Sequence, residues 1–352
     1  MKSPTVLDVT LRDGSYAVNF SLTSSDTSVI CRELENSGLN YIEIGHGVGF
    51  GGSRAGYGQA AQTDEEYLAA ASSATKRAKF GMFCIPGIAR LEDIDMAYEY
   101  KIGFIRVGTN VTEVASSKDF IEKAKYHGIF VAANYMKSYA MQPQDFAEQV
   151  KLSEKFGADM VYLVDSAGSM FPDDIEKYFN AIRNVSDIKL GFHGHDNLGM
   201  AIANSLTAVR LGFDFIDSSL QGFGRGGGNA CTEILIASLL KLGYPLSVDL
   251  LRLMDAGQNY VQPLLPAKGK MPLDVISGYA GFHSSYMKHI AEASVKYQID
   301  PRILIVEICK VNQVDLDLKV LDSIAKGIKV QGEVSLSRYA FNRYVGGEQE
   351  KK

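Results

Sequence analysis

The chain has 352 residues, 46% hydrophobic and 22% charged, with a formal net charge of -5. That mixture excludes a disordered or fibrous protein, and an acidic balance without a Lys/Arg stripe excludes a nucleic-acid binder. The length suits one large barrel with an appendage, or two domains of average size.

Met1-Lys2-Ser3-Pro4 leads straight into a short apolar strand without a signal-peptide core, and no apolar run is long enough to span a bilayer. Cys31, Cys84, Cys231 and Cys309 are scattered, with no C-x-x-C pair. The expectation is a cytoplasmic protein with reduced thiols and small-molecule or protein partners.

From Thr5 to about Leu242, short β-branched runs alternate with segments of helical period. The predicted strands are Val6–Val9, Tyr41–Ile44, Phe80–Cys84, Phe104–Val107, Phe130–Ala133, Met160–Val164, Leu190–His193 and Phe215–Ser218. Eight such units, each followed by a helix, predict an α/β fold of the (β/α)8 TIM-barrel type, with a doubly wound open sheet as the rival. Thr23 and Ser24 start one helix and Asn36-Ser37-Gly38 ends it, while Pro143 and Pro172 fall where first helical turns belong. Beyond Gly243 the strand signal stops, and helices are expected over Val248–Tyr260, Phe282–Tyr297, Ile303–Cys309 and Leu318–Gly327. The expected division is a catalytic barrel at 1–243, a C-terminal all-helical domain at 244–345 and a frayed tail at 346–352.

In such a barrel, polar residues just past the strand ends are the candidates for chemistry. Arg12-Asp13 closes the first strand, where a rim pair for catalysis and a plain turn with a surface ion pair are both open readings. His193-Gly194-His195 closes the seventh. Residues at i and i+2 of an extended segment face the same way, so both imidazoles can reach one cation, unless they are simply hydrogen-bonded rim histidines. Strands one and seven of a closed barrel are near neighbours. Asp13 can therefore complete a two-His, one-carboxylate set for Mn²⁺, Mg²⁺, Zn²⁺ or Fe²⁺ with positions open for water and substrate. The loop Gly222 to Ala230 has amides suited to a carboxylate or phosphate at a helix N-terminus, but lacks the Gly-Lys-Ser/Thr of a P-loop. Its Asn229 either reaches the metal or its water, or caps the next helix. His46, after the second strand, either contacts substrate or closes a hydrogen-bond network.

Arg12-Asp13-Gly14, Ile42-Glu43-Ile44-Gly45-His46-Gly47, Asp165-Ser166-Ala167-Gly168, the His193/His195 run, Ala203-Asn204-Ser205 and the Asn229 loop together resemble the DRE-TIM metallolyases. That superfamily covers hydroxymethylglutaryl-CoA lyase, isopropylmalate and homocitrate synthases, and 4-hydroxy-2-oxovalerate aldolase. The resemblance is nearest to the aldolase family, because Gly278 to Tyr286 and Lys296-Tyr297 are similar to its C-terminal helical region; it spans roughly Val6 to Ile308.

The resemblance implies that Asp13, His193 and His195 hold a divalent metal, usually Mn²⁺. It further implies that Arg12 stabilises an enolate oxygen and that Ser166 seats the carboxylate of a small 2-oxo acid. An acylating aldehyde dehydrogenase partner is implied too, alongside self-association through apolar helical faces. Two departures stand out. Where the aldolases carry a histidine base after Arg-Asp-Gly, this chain has Tyr16, and where they carry a tail tyrosine it has His283. A tyrosine base would cost roughly 4–5 kcal/mol more than histidine near neutrality, so the exchange makes His283 the expected base and Tyr16 a hydrogen-bond donor. His195-Asp196-Asn197 is nearer the lyase and synthase branch. The expected reaction is metal-dependent cleavage or formation of a C–C bond in a 4-hydroxy-2-oxo acid. A Claisen-type acyl-CoA synthase and a non-catalytic metabolite-binding barrel are the alternatives.

Overall fold

The computed structural model describes residues 2–265 and 272–328, together with Leu336, Tyr339, Phe341 and Tyr344. Eight parallel strands form a closed barrel in chain order: β1 (Thr5–Asp8), β2 (Tyr41–Ile44), β3 (Lys79–Cys84), β4 (Phe104–Asn110), β5 (Phe130–Met136), β6 (Met160–Asp165), β7 (Lys189–Gly194) and β8 (Phe215–Ser218). Closure is made by β1 against β8, from Thr5 opposite Phe215 to Asp8 opposite Ser218, which eliminates the open sheet. Strands β4 and β5 run three residues further than expected, and their extensions Gly108–Asn110 and Asn134–Met136 pair with each other. The polar Asn110 and Asn134 interrupt the apolar runs and mask these extensions in the sequence.

The surrounding helices are α1 (Ser24–Asn36), α2 (Asp64–Ala74), α3 (Leu91–Glu99), α4 (Lys118–Tyr126), α5 (Pro143–Lys155), α6 (Pro172–Arg183), α7 (Ala201–Leu211) and α8 (Thr232–Lys241). Local chemistry sets their ends. Thr23 accepts from the Asp26 amide while the Asp26 carboxylate takes the Thr23 amide, a capping box, and Pro143 and Pro172 occupy first turns.

The C-terminal region is helical, with α9 (Leu250–Ala256), α10 (Pro272–Ala280), α11 (Met287–Tyr297), α12 (Pro301–Cys309) and α13 (Leu318–Gly327). Leu253, Ala256 and Val261 join the barrel's apolar core, whereas a separate core of Leu273, Ile290, Leu304, Ile305 and Leu321 holds the later helices. Helix α10 was not foreseen, and the expected helix from Phe282 begins instead with a single 3₁₀ turn, Ser284–Tyr286, ahead of α11. The frayed tail expected at 346–352 lies outside the described residues. Among those described, no helix is long and apolar enough to cross a membrane.

Inside the barrel, Leu7, Val9, Phe104, Met160 and Val164 form an apolar cluster. Among them the even-numbered strands contribute Glu43, Arg106, Tyr162 and Asp217, four side chains in contact, as barrel layering prescribes. Most barrels fill this layer with branched apolar residues. Here it carries three charges and forms the floor of the candidate site.

Candidate metal centre

Asp13, His193 and His195 converge at the C-terminal mouth of the barrel, each buried, with one ligand atom apiece lying within 4.8 Å of the others. Partners on the far side fix both imidazoles. His193 Nδ1 lies 2.9 Å from the Asp217 carboxylate and His195 Nδ1 lies 3.2 Å from the Gly228 carbonyl. A carboxylate and a carbonyl only accept, so both Nδ1 atoms carry a proton, and the neutral form of each ring presents its Nε2 lone pair. Those two Nε2 atoms are 3.4 Å apart. Two lone pairs aimed at each other in a buried site repel unless a cation lies between them, and this is the arrangement by which outer partners orient metal-bound histidines.

Asp13 is ready to be the anion of the set. Burial pushes its carboxyl up, but Arg12, His195, His193 and the Asn229 amide outweigh that, and it is held well below the usual carboxylate range. Burial lowers His195 to about 4 against the pull of Asp13, so its ring is neutral at pH 7. The Asn229 amide nitrogen donates to Asp13 at 2.8 Å, while its carbonyl oxygen is buried and has no hydrogen-bond partner. An orphaned buried acceptor beside a carboxylate and two imidazole lone pairs fits a divalent cation. Asn229 does not cap α8, whose N-cap is Cys231.

The glycine-rich loop, whose amides suit a carboxylate or phosphate, turns one of them to the protein's own carboxylate: the Arg225 amide donates to Asp13 at 3.2 Å. The approach is so close that a Cβ on Gly224 would lie 2.3 Å from the Asn229 amide nitrogen and 2.8 Å from an Asp13 oxygen.

Arg12 donates to Asp13 and to Glu43, each at 2.7 Å. Arg106 binds Glu43 through two nitrogens and reaches Asp217 at 2.5 Å. One guanidinium on β4 therefore braces Arg12 through Glu43 and His193 through Asp217. Glu43, Arg106 and Asp217 were missed in the sequence although a signal was present. Glu43 and Arg106 are charges flanked by apolar residues in mid-strand, Asp217 is a charge within the short strand β8, and period-2 alternation turns each toward the opposite face from its neighbours.

Tyr16, Ser166, Arg225 and His283 line the same cavity as Arg12, Asp13, His193 and His195. Ser166 Oγ accepts from the Lys137 amide at 2.9 Å. Lys137 is fully buried, with its Nζ donating 2.5 Å to the Val314 carbonyl, so one residue ties the cavity wall to the helical region. Tyr16 is 4% exposed, and a Cβ on Gly47 would strike its ring at 2.5 Å, which explains the glycine there. His283 arrives from the turn before α11, with Nδ1 2.8 Å from Ser285 Oγ. Burial, reinforced by Arg225 and Lys137, holds it well below the ordinary histidine range, hence neutral at pH 7. His46 is placed elsewhere. Its Nδ1 accepts from the Val48 amide and its Nε2 lies 3.0 Å from the Gly58 carbonyl, so it closes a loop network while Gly47 lines the cavity.

Comparison with known proteins identifies the family. Residues 3–259 match the HMGL-like family profile and residues 272–315 the DmpG-like communication domain. A 4-hydroxy-2-oxovalerate aldolase of Carboxydothermus hydrogenoformans is 38% identical over 310 residues, covering 88% of this chain and 92% of that protein. An oxaloacetate decarboxylase of Mycobacterium tuberculosis is 41% identical over 294 residues, covering 83% and 87%. The solved HMG-CoA lyase of Brucella melitensis superposes with a TM-score of 0.66 at 19% identity, over 76% of this chain and all of that one, a likeness of fold. The chain belongs to the HMGL-like family, with the 4-hydroxy-2-oxovalerate aldolases among its relatives.

Proposed function

We propose that the protein is a carbon–carbon lyase, a divalent-metal-dependent aldolase acting on a 4-hydroxy-2-oxo acid. The observation that carries this is the convergence of two Nε2 atoms 3.4 Å apart, beside Asp13 and the unpartnered Asn229 oxygen. Asp13, His193 and His195 are the residues that would hold the metal. The mixed nitrogen and oxygen donors favour Mn²⁺ over Mg²⁺, with Zn²⁺ the other candidate. When bound, the cation supplies positive charge next to the oxygen that becomes an enolate.

The chain's own residues do the rest. Arg12, held by Asp13 and Glu43, points a fixed guanidinium at the same oxygen and needs no reorganisation as charge develops. Ser166 seats the substrate carboxylate. His283 takes the proton of the 4-hydroxyl, and Tyr16 donates a hydrogen bond to the oxygen left behind. As the C3–C4 bond breaks, its electron pair passes to the enolate and C4 leaves as an aldehyde. Protonation at C3 then gives pyruvate. Nδ1 faces Ser285 Oγ, which can accept, and the Ser285 amide at 3.3 Å, which only donates, so serving as base at Nε2 requires the Nδ1 proton to be given to Oγ at the expense of the amide contact.

The barrel at 1–243 carries the metal end, and the helical region at 244–345 contributes His283. That region, matched by the communication-domain profile over 272–315, is our candidate surface for an acylating aldehyde dehydrogenase that takes up the aldehyde, or for a second copy of the chain. Free thiols at all four cysteines agree with a cytoplasmic setting. A second reading, decarboxylation of a 2-oxo dicarboxylate, follows from the name of the Mycobacterium relative and shares the same enolate half. Both predict that the Mn²⁺-loaded protein exchanges the methyl hydrogens of pyruvate in deuterium oxide, followed by NMR. Absence of exchange would favour the Claisen-type or non-catalytic alternatives.

A further inference from the structure

The cavity contains a second guanidinium for which the enolate half has no use. Arg225 is 8% exposed and lines the cavity together with Tyr16 and His283. Its position is fixed from the backbone. The Arg225 amide is bonded to Asp13, its carbonyl accepts from Gly228 at 3.0 Å, and Gly226 and Gly228 have φ of 57° and 86°, a loop conformation that bulkier residues resist. The guanidinium carbon stands 4.4 Å from the centre of the Tyr16 ring, and its charge is felt at His283 and His195. The two cavity arginines thus belong to different groups of side chains. Arg12 is bonded to the metal-ligand carboxylate and to Glu43, whereas the Arg225 side chain is packed on Tyr16, one of the two residues assigned to the 4-hydroxyl.

A planar guanidinium presents paired N–H donors that match a carboxylate. Resting on the aldolase reading above, we propose that Arg225 selects a substrate with a second carboxylate beyond C4. In the cleavage direction this is a 4-hydroxy-2-oxo dicarboxylate, and in the reverse direction the acceptor is an aldehyde acid. For the five-carbon case, removal of the 4-hydroxyl proton and breakage of C3–C4 send the electron pair to the pyruvate enolate. C4 and its attached carboxylate leave as glyoxylate, and a proton added at C3 completes pyruvate, so atoms and charge balance without a further reactant.

The test compares two substrates that differ only at C5: 4-hydroxy-2-oxopentanedioate, with a carboxylate, and 4-hydroxy-2-oxopentanoate, with a methyl. Wild-type protein loaded with Mn²⁺ is expected to show kcat/KM at least about tenfold higher for the dicarboxylate, the scale of one charge-assisted pair. Arg225→Met should collapse that ratio, chiefly through KM for the dicarboxylate, and Arg225→Lys should restore part of it. A wild-type preference for the methyl substrate overturns the assignment without any variant. Equal losses on both substrates in Arg225→Met overturn it as well, since they mark Arg225 as a support for Tyr16 alone. Pyruvate methyl exchange in the same wild-type sample separates the two levels. Exchange without a dicarboxylate preference defeats only the role of Arg225, and loss of both defeats the aldolase reading too.

Discussion

The two ends of the cavity are built differently. At the metal end His193 leans on Asp217, Arg12 on Glu43, and both carboxylates on Arg106, these partners all buried on barrel strands, while Asp13 and His195 are also held from the glycine-rich loop. At the other end Tyr16, Arg225 and His283 come from the turn after β1, the glycine-rich loop and the helical region, and no barrel strand carries any of them. Chemistry common to many substrates is thus set in the rigid barrel layer, and the groups that meet a particular substrate's far end stand on its periphery. Exchange of Tyr16 and His283 relative to the aldolase pattern falls wholly at the second end, where a change leaves the metal layer undisturbed.

The sharpest way to break this comparison is to ask which peripheral residue moves the proton. His283→Ala should lower kcat by about 10²–10⁴-fold, the usual contribution of a general base, and Tyr16→Phe by less. Turnover surviving in His283→Ala but abolished in Tyr16→Phe would reverse the two roles.

Next comes the bracing of the metal end. Arg106→Lys keeps the charge but cannot span Glu43 and Asp217 at once. Mn²⁺ affinity measured by calorimetry should fall about 10–100-fold, as it does when outer partners of metal ligands are changed. Unchanged affinity would mean that His193 needs no such support.

A further effect lies outside the cavity, where Asp8 meets the start of α8. Burial, aided by the charge of Glu233, raises Asp8 to about 7 against hydrogen bonds from Thr10 and Thr232. An acid whose folded pKa is raised stays protonated in the native state while the unfolded chain has already lost the proton. Its contribution to stability is therefore complete below the unfolded value and declines as pH rises toward 7. Asp8→Asn should remove a slope of at most about 1.4 kcal/mol per pH unit between pH 4 and 7 in denaturant titrations. An unaltered slope would place the titration elsewhere.

Much of the metal end was legible before any coordinates. The i, i+2 spacing of His193 and His195 and the adjacency of strands one and seven brought Asp13 to them, because strand periodicity and barrel closure are both encoded locally. What escaped was the layer beneath. Glu43, Arg106 and Asp217 are more than 60 residues apart along the chain, as the 63 and 111 residue separations of the Arg106 bonds show, and only barrel closure joins them. His46 shows the opposite limit. Its position after a strand suggested substrate contact, but the loop from Gly47 to Gly58 folds back and takes both ring nitrogens. Helix α10 was hidden by Gly278 and by its short length, and Lys137 gave no hint of burial because its partners lie 149 and 177 residues away.

The central claim is that three side chains meet at one cation. Crystals soaked in Mn²⁺ and measured at a wavelength with strong manganese anomalous scattering test it most directly. A single anomalous peak bonded by Asp13, His193 Nε2 and His195 Nε2 is the predicted result. A map with no peak there, or with the ion held by other residues while the two imidazoles still face each other, would contradict the account.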